Sequence, residues 1–198
     1  MRRTVLTLLL CGAASGAPLA AQGKPLVPSR VAEGTLSFDA RATAGDFTGT
    51  TSTVTGGMTG GATLAEVRGC VQAPVNTLVT GNGRRDRDLN KSMETDTFPT
   101  MRFALNRVAP TSATGDSMTA DLIGDLTLHG VTLPDTLPAT LLFRGDSVRV
   151  HADFPVNVKD YGVRGLSKLL GLLKMDEHIV VHVDVVFVPG AGGCEGEE

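Results

Sequence analysis

The stretch GDLTLHGVT, residues 124–132, decides the fold, because its apolar side chains recur at every second position. Leu126 and Leu128 alternate with Asp125 and Thr127. A period of two is typical of a β-strand with one face in a core and the other in solvent. We therefore predict a strand here, with its two leucines pointing into the protein interior.

The histidine and glycine of this stretch indicate how the strand continues. His129 stands at the same parity as Asp125 and Thr127, so we predict that it is an exterior strand residue. Gly130 has no side chain and tolerates a bend. We expect the chain to bend there and to turn into the next hairpin at Pro134 and Asp135.

Seven other segments alternate in the same way, so eight strands are predicted in total. In chain order, the eight are LSFDARA (36–42), FTGTTSTVTGG (47–57), LAEVRGCVQAPVNTLV (64–79), MRFALNRV (101–108), ADLIGDLTLHG (120–130), TLPATLLFRG (136–145), SVRVHADF (147–154) and HIVVHVDVVF (178–187). Eight antiparallel strands favour a closed barrel, which leaves no strand edge exposed. A β-sandwich has the same periodicity and remains an alternative.

Two segments have helical spacing instead. In GNGRRDRDLNKSME (81–94), Leu89 and Met93 stand four apart among charges, which predicts a helix of one or two turns lying on the barrel. In GLSKLLGLLKM (165–175) the leucines at 166, 169, 170 and 173 predict an apolar helical stripe. That stripe is interpreted as a plug packed on the barrel end, with a gate over a lipid entrance as the alternative.

Composition and length indicate one domain with a roomy interior. A chain of 198 residues and 20.6 kDa is about the size of a single domain. It contains no Trp, 4% aromatic residues and 24 glycines, so the interior is built from small and medium side chains. Such side chains leave space inside a barrel of eight strands, which can hold one small ligand.

The first residues, MRRTVLTLLLCGAASGAPLAAQG, have the pattern of an export signal. Arg2 and Arg3 precede a short apolar run, and small residues follow it. The run is shorter than the ~20 residues of a membrane-spanning helix. We predict a signal peptide over 1–22, an extended N-terminal segment over 23–34, the barrel over 35–188 and a flexible tail over 189–198. The mature chain is then periplasmic or secreted, without an integral membrane segment.

Charge and cysteine content restrict the partners and the redox chemistry. Loss of Arg2 and Arg3 with the signal peptide lowers the formal net charge from −3 to −5. An acidic chain is a poor partner for nucleic acid. In an oxidising compartment, Cys70 and Cys194 can form one disulfide. The alternation around Cys70 places it on the outer face, where the C-terminal tail can reach it; two free thiols are the alternative.

The residue patterns favour neither catalysis nor metal binding. His178 and His182 are four strand residues apart, about 13 Å at ~3.3 Å per residue, which is too far to share one ion. His182 and Asp184 face away from the apolar side, so a solvated outer wall is expected. The sequence has no nucleophile elbow, phosphate loop or Cys/His cluster. We therefore predict no catalytic residue, no metal site and no cofactor.

Three stretches, in this order, resemble motifs of the YceI-like family. RRDRDLNKSMETDTFPTMRF (84–103) resembles its segment with an Arg-Asp pair, a short helix and a strand start of the type yPtitF. GDLTLHGVT is similar to its G-x-L-T-i-x-G-v-T strand, and FPVNVKDYGV (154–163) to its f-x-l-n-R-s-D-F-G turn. Two departures stand out: Asp88 occupies a position where many members have His, and Val158 replaces the Arg of the turn.

The resemblance implies an exported, lipocalin-like antiparallel barrel that holds a long isoprenoid or similar amphiphilic lipid. We expect an all-β, eight-stranded barrel with one or two short helices, and its inward side chains to line the ligand site. The expected lining residues are Phe38, Val71, Phe103, Leu105, Leu126, Leu128, Phe143, Phe154 and Val183. Arg84, Arg85 and Arg87 are candidates for head-group contact at the barrel mouth, and a solvated helix face is the alternative for them.

Two other function classes remain open from the residues alone. A small barrel can host an enzyme acting on an apolar substrate, which requires an ionisable group inside. Alternatively, a barrel with a filled interior can be an interaction or stress-related module that binds a partner protein, or forms a homodimer, through the leucine stripe between Leu166 and Met175.

Overall fold

A computed structural model describes residues 26–164, 167–168 and 173–194. The described residues form ten strands and one α-helix, α1 (Gly83–Ser92). The strands are β1 (Ser29–Ala42), β2 (Phe47–Thr51), β3 (Thr55–Met58), β4 (Gly69–Pro74), β5 (Thr100–Thr114), β6 (Ser117–Leu128), β7 (Val131–Arg144), β8 (Ser147–Asn157), β9 (Ser167–Lys168) and β10 (Leu173–Pro189). Two 3-10 turns, Leu64–Glu66 and Val75–Thr77, flank β4.

The strands close into an antiparallel barrel with eight positions in its wall. β2 and β3 both pair with β1, at Leu36–Ala40 and at Ser29–Arg30 respectively, and together occupy one position. From there the order runs through β4, β5, β6, β7 and β8 to β10. β10 pairs with β1 over nearly its whole length, which closes the sheet. The predicted eight-stranded barrel is confirmed, and the sandwich alternative is wrong because the sheet has no free edge at β1.

The second and third predicted strands are shorter than expected. The Thr51 hydroxyl accepts a hydrogen bond from the Thr53 amide at 3.0 Å and shares another with the Thr77 hydroxyl at 2.7 Å. These local bonds interrupt the strand between β2 and β3. Around Cys70, only Gly69–Pro74 forms a strand, because the 3-10 turns Leu64–Glu66 and Val75–Thr77 lie on either side of it. Alternation alone could not detect these side-chain interruptions.

The hairpin after β6 turns earlier than predicted. Leu128 pairs with Val131, so the turn contains only His129 and Gly130. Their φ angles are 50° and 74°, the left-handed pair that a two-residue type I′ hairpin requires. The prediction that His129 is an exterior strand residue is therefore wrong, and Pro134 and Asp135 lie within β7.

The first predicted helix is present and the second is absent at the positions described. α1 begins after Asn82, whose side chain accepts hydrogen bonds from the amides of Arg84 and Arg85. In the leucine-rich segment, Ser167–Lys168 pair with Leu173–Lys174 as a small antiparallel ladder. Strand pairing thus overrides the helical spacing at these residues. Residues 165–166 and 169–172, which include Leu166, Leu169 and Leu170, lie outside the described residues.

Both ends of the domain differ from the predicted boundaries. β1 starts at Ser29 rather than near residue 35, and Leu26 forms a bridge with Gly61. The signal peptide prediction over 1–22 falls outside the described residues. At the C-terminus, a disulfide joins Cys70 to Cys194. Cys194 is buried and Gly192 packs against Gly57, so the tail as far as Cys194 is held on the barrel wall rather than flexible.

Candidate functional site

The barrel encloses an apolar cavity of roughly 430 Å³. It runs along the barrel, since inward residues of β10 from Met175 to Phe187 all border it. At one end, called here the helix end, α1 lies beside it. At the other end, Leu26 from the N-terminal segment and Leu64 from the 3-10 turn after β3 border the cavity.

Eight of the nine predicted lining residues border this cavity: Phe38, Val71, Phe103, Leu105, Leu126, Leu128, Phe154 and Val183. Phe143 does not. It pairs with Val148 one step from the β7–β8 turn, at the end opposite α1. Phe143 is half-buried and packs against the core, whereas its cross-strand partner Val148 does border the cavity. Period two identified its apolar face but did not decide whether its side chain borders the open space.

Two of the lining phenyl rings lie over glycines of the neighbouring strand. A Cβ built on Gly49 would come within 2.3 Å of the Phe38 ring, and one on Gly124 within 2.7 Å of the Phe103 ring. A side chain at either position would displace the ring that now occupies that space. Gly124, which interrupts the leucines of the sequence quoted first, is thus explained by the Ala104 carbonyl oxygen, which would lie 2.1 Å from such a Cβ, together with the Phe103 ring.

The polar residues that border the cavity at the helix end come mainly from α1 and its cap. They include Asn82, Arg84, Arg85, Asp88 and Ser92. Sequence reasoning missed Asn82 and Ser92, since helical spacing had been applied only to the apolar residues, and it singled out Asp88 only as a departure from the family motif. Gln72 and Arg102 also border the cavity, and were not singled out either.

The three candidate head-group arginines have different environments. Arg85 lies over the Phe47 ring, 4.2 Å from its centroid, and donates to the Thr80 hydroxyl at 2.9 Å. Arg84 is exposed and borders the cavity, whereas Arg87 is exposed and does not. Arg85 thus holds α1 on the barrel, and Arg84 is the one of the three whose exposed side chain stands at the cavity.

α1 is anchored on both its polar and its apolar side. Asp86 accepts hydrogen bonds from the Thr80 amide at 2.8 Å and from its hydroxyl at 2.6 Å. These bonds from Thr80 lower the pKa of the Asp86 carboxyl. On the other side, Leu89 and Met93 border the cavity, and Met93 is buried. Leu89 and Met93, the apolar pair predicted from its spacing of four residues, therefore cover the helix end of the lumen.

His129 lies outside the cavity and joins three loops at the helix end. Its Nδ1 lies 3.1 Å from the Tyr161 carbonyl oxygen and its Nε2 lies 3.5 Å from Glu94 Oε1. The imidazole packs against the Phe98 ring at 4.6 Å between centroids. Because these contacts come from loops that are distant in sequence and enclose the imidazole, His129 is only 8% exposed.

The other histidines belong to the outer wall, as the alternation predicted. His182 Nδ1 lies 2.6 Å from Asp153 Oδ1, and its Nε2 lies 3.3 Å from Asp39 Oδ2. The hydrogen bond with Asp153 is the main reason that the pKa of His182 is raised. His151 contacts the second oxygen of Asp153 at 3.1 Å. This network crosses β8, β10 and β1, where the barrel closes.

Neither a metal cluster nor a membrane-spanning helix is found among the described residues. Within residues 26–164, 167–168 and 173–194, no three His, Cys, Asp or Glu side chains are placed to hold a metal ion. No helix in the same ranges combines the length and the apolar character needed to cross a membrane.

Comparison with known proteins assigns the family. The family profile described as a YceI-like domain matches residues 29–187, which cover the whole barrel. The chain belongs to the YceI-like family. The three stretches that resemble YceI motifs meet at the helix end of the barrel. His129 of the second contacts Glu94 and Phe98 of the first and Tyr161 of the third.

Curated relatives of this YceI-like chain match over part of their length. A UPF0312 protein from Pseudomonas putida is 30% identical over 108 residues, which are 50% of this chain and 54% of that protein. A UPF0312 protein from Pseudomonas syringae pv. tomato is 28% identical over 114 residues, which are 54% and 57% of the two chains. The YceI-like chain thus spans about half the length of the curated relatives it matches.

Solved structures share the fold at low sequence identity. A polyisoprenoid binding domain from Saccharophagus degradans, implicated in plant cell wall breakdown, has a TM-score of 0.68 at 18% identity. The match covers 83% of the YceI-like chain and 99% of that domain. Burkholderia cenocepacia BcnA has a TM-score of 0.64 at 16% identity, over 77% and 95% of the two chains. At these identities the likeness establishes a common fold.

Proposed function

We propose that this YceI-like chain binds a hydrophobic, isoprenoid-like lipid in the lumen and carries or sequesters it without catalysis. The observation that supports the proposal most directly is the closed barrel with a cavity of roughly 430 Å³, lined mainly by hydrocarbon side chains. Because the N-terminal sequence has the pattern of an export signal, the proposal places the protein in the periplasm or outside the cell.

The physical basis of binding is the removal of a hydrocarbon chain from water. Each buried methylene contributes about 0.8 kcal/mol, and few polar contacts are needed to hold such a ligand. The lumen is already formed by strands that pair around the whole circumference. A preformed cavity reduces the ordering cost that would otherwise offset the gain.

The positions of the histidines support binding rather than proton transfer in the lumen. All four histidines of the chain lie in described segments, and none of them borders the cavity. His151 and His182 face solvent with their aspartate partners, and His129 is enclosed by loops. General acid–base catalysis on a substrate in the lumen would require an ionisable group within hydrogen-bond reach of it. Among the described lining residues the carboxyl group is that of Asp88, which stands at the helix end beside the head-group candidates.

The solved relative from Saccharophagus degradans supports the isoprenoid class for this chain. That protein is described as a polyisoprenoid binding domain, and its match covers 83% of this chain at a TM-score of 0.68. We extend its ligand class to the present lumen as part of the proposal. Arg84, at the helix end, is proposed to contact the head group of the ligand.

The first experiment is organic extraction of the protein purified from the export compartment of its native host, followed by mass spectrometry. We expect a stoichiometric polyprenyl, quinone or acyl species. Leu128→Asp and Phe103→Asp should abolish its retention because each buries a carboxylate in the lumen. Thr127→Asp is the matched control, since Thr127 lies on the outer face beside Thr132.

The outcomes separate binding from a filled core. An empty extract, with no uptake of added prenols or fatty acids by the folded protein, would contradict lipid carriage. Full retention by folded Leu128→Asp and Phe103→Asp variants would place the lipid elsewhere. For the head group, Arg84→Ala should weaken binding of an anionic lipid several-fold, whereas Arg87→Ala, whose side chain does not border the cavity, should not.

A further inference from the structure

The helix end of the lumen is covered by one long excursion of the chain between β4 and β5, residues 75–99, called here the lid. Pro74, the last residue of β4, pairs with Thr100, the first residue of β5. The Val75 amide donates to the Pro99 carbonyl at 2.8 Å, which joins the two ends of the lid. Because the lid leaves and re-enters the wall at one place, it can move without unpairing β4 from β5.

The lid is held together by its own hydrogen bonds. The Thr80 amide and hydroxyl donate to Asp86, and the Thr80 carbonyl accepts from the Arg85 guanidinium at 3.2 Å. Further along, the Asn90 side chain donates to the Asp86 carbonyl at 2.9 Å, and the Asn90 carbonyl accepts from the Thr95 amide at 3.2 Å. These bonds tie α1 to the residues before and after it, so the lid is built to move as one body.

The inner face of the lid is apolar and its outer face is charged. Leu78, Leu89 and Met93 border the cavity, whereas Arg87 and Lys91 are exposed. An amphipathic segment of this kind presents hydrocarbon to a lipid and charge to water. The lid is therefore suited to cover a hydrophobic ligand from the side of the solvent.

The wall beside the lid is not closed by a strand ladder. On one side, β2 pairs with β1 over Leu36–Ala40. On its other side, within residues 26–164, β2 has one bridge, between Thr50 and Val79 of the lid, with backbone hydrogen bonds of 2.9 and 3.0 Å. Val79 is 59% exposed, so this bridge lies at the surface. The lid and β2 thus meet along a line that can part while the other strands stay paired.

A relay of hydroxyl groups fastens the lid to β2. The Thr77 hydroxyl donates to the Pro74 carbonyl at 2.7 Å. It therefore accepts from the Thr51 hydroxyl, 2.7 Å away, because a hydroxyl has one hydrogen to donate. Nearby, the Arg85 guanidinium of the lid lies over the Phe47 ring of β2. These contacts are polar or involve one ring, so they can break and re-form with little loss of apolar packing.

The opposite end of the lumen is fastened more firmly. A Cβ on Gly57 would lie 2.2 Å from the Gly192 carbonyl carbon, so the backbones of β3 and the C-terminal tail are in direct contact there. The disulfide between Cys70 and Cys194 fixes the tail in this position. The helix end is therefore the end with the more loosely held cover.

We propose that the lid opens and closes over the lumen, and that lipid enters and leaves between the lid and β2. The hinge lies where Val75 and Pro99 are joined, next to Phe98, which packs on His129. Opening breaks the relay of hydroxyl groups and the bridge to β2. The inference rests on the proposed lipid-binding function and adds the route by which the ligand exchanges.

Matched cross-links test this route. Thr51→Cys with Thr77→Cys joins β2 to the lid at two positions that do not border the cavity. Thr111→Cys with Thr119→Cys is the control, because those hydroxyls are 2.8 Å apart and join β5 to β6 instead. Peptide mass spectrometry verifies each new disulfide, and circular dichroism checks each fold.

The quantity measured is the rate of lipid exchange. Stopped-flow fluorescence follows transfer of all-trans-retinol, an isoprenoid alcohol, from phosphatidylcholine vesicles to the protein, and mass spectrometry follows loss of the native lipid to empty vesicles. The oxidised cross-link on the lid should slow both processes at least about tenfold, and dithiothreitol should restore them. The control cross-link, treated identically, should change neither rate by more than about twofold.

A second variant loosens the lid. Thr77→Val removes the hydroxyl that links Thr51 to Pro74, and should speed retinol uptake and release several-fold. The dissociation constant should stay nearly unchanged, because a lid that gates both directions alters rates rather than the equilibrium. Thr111→Val is the control, since it removes one hydroxyl of a threonine pair far from the lid.

The outcomes distinguish this inference from the function on which it rests. If the oxidised cross-link on the lid and Thr77→Val both leave exchange at the wild-type rate, the lid is not the route and lipid passes the end that bears Leu26 and Leu64. If the control cross-link slows exchange equally, the wall flexes as a whole and the lid is again wrong. If the wild type takes up no retinol and the native extract is empty, lipid binding itself is wrong.

Discussion

His129 and Glu94 face each other at the helix end of the barrel, and both have left-handed backbone. Their φ angles are 50° and 47°, and the His129 Nε2 lies 3.5 Å from Glu94 Oε1. Within the described ranges they are the two non-glycine residues with positive φ. Such a conformation costs roughly 1–2 kcal/mol per residue and persists where surrounding contacts determine it.

We expect the contacts of His129 to offset this backbone cost. His129→Ala removes the contact with the Tyr161 carbonyl and the packing on Phe98, and should lower the free energy of unfolding by about 2–3 kcal/mol. Urea titration measures the change. Glu94→Asn is the control, since Asn tolerates the left-handed backbone and Glu94 is exposed. If Glu94→Asn lowered the free energy of unfolding as much as His129→Ala, this account would be contradicted.

Substitutions at two turn glycines allow the cost of backbone strain to be measured separately from the cost of crowding. Gly130 and Gly145 have φ angles of 74° and 62°. A Cβ on Gly130 would lie 2.4 Å from the Phe98 ring, whereas one on Gly145 would have nothing within 4 Å. Gly145→Ala should destabilise by about 1 kcal/mol and Gly130→Ala by about 2–3 kcal/mol. Equal losses in thermal or urea unfolding would mean that Phe98 moves aside freely.

His182 should make stability depend on pH. Its pKa is raised above 6.5, chiefly by the hydrogen bond with Asp153 and also by Asp39. A raised pKa in the folded state means that the protonated form stabilises the fold. This contribution to stability is complete at pH values below the pKa of His182 in the unfolded state. It is lost as the pH rises through the pKa of His182 in the folded state.

The test of this pH dependence is His182→Gln. In mildly acidic buffer the free energy of unfolding of the wild type should exceed that of the variant by about 0.5 kcal/mol. The difference is small because solvent screens a partly exposed pair, and it should vanish in alkaline buffer. The pKa values of Asp39 and Asp153 are lowered, so their contributions are lost only on further acidification. A difference that grows with rising pH would have the wrong sign.

The disulfide should contribute strongly to stability, because it links Cys70 and Cys194 across 124 residues of sequence. Cys194→Ser should lower the free energy of unfolding by roughly 2–5 kcal/mol. A reducing agent should lower the free energy of unfolding of the wild type by the same amount and should not change that of the variant. If the variant and the reduced wild type unfold at the wild-type midpoint, the tail does not stabilise the barrel.

The inward faces of the strands were predictable because side-chain direction is a local property of extended backbone. Leu126 and Leu128 border the cavity as their alternation predicts, and so do Phe38 on β1 and Val183 on β10. The same reasoning failed at Phe143, which does not border the cavity although its strand partner Val148 does, because periodicity does not say which inward side chains reach an open space. It also failed where hydroxyl groups such as that of Thr51 interrupt a strand.

What the sequence determined by itself is the eight-stranded pattern, the inner and outer faces and the short helix α1, because periodicity, turn residues and capping act over a few neighbouring positions. Only the tertiary structure decided that His129 is buried, that the tail lies against Gly57, and that Phe38 and Phe103 lie over glycines. These features arise where segments distant in sequence meet, and their energies depend on the contacts made after the barrel closes.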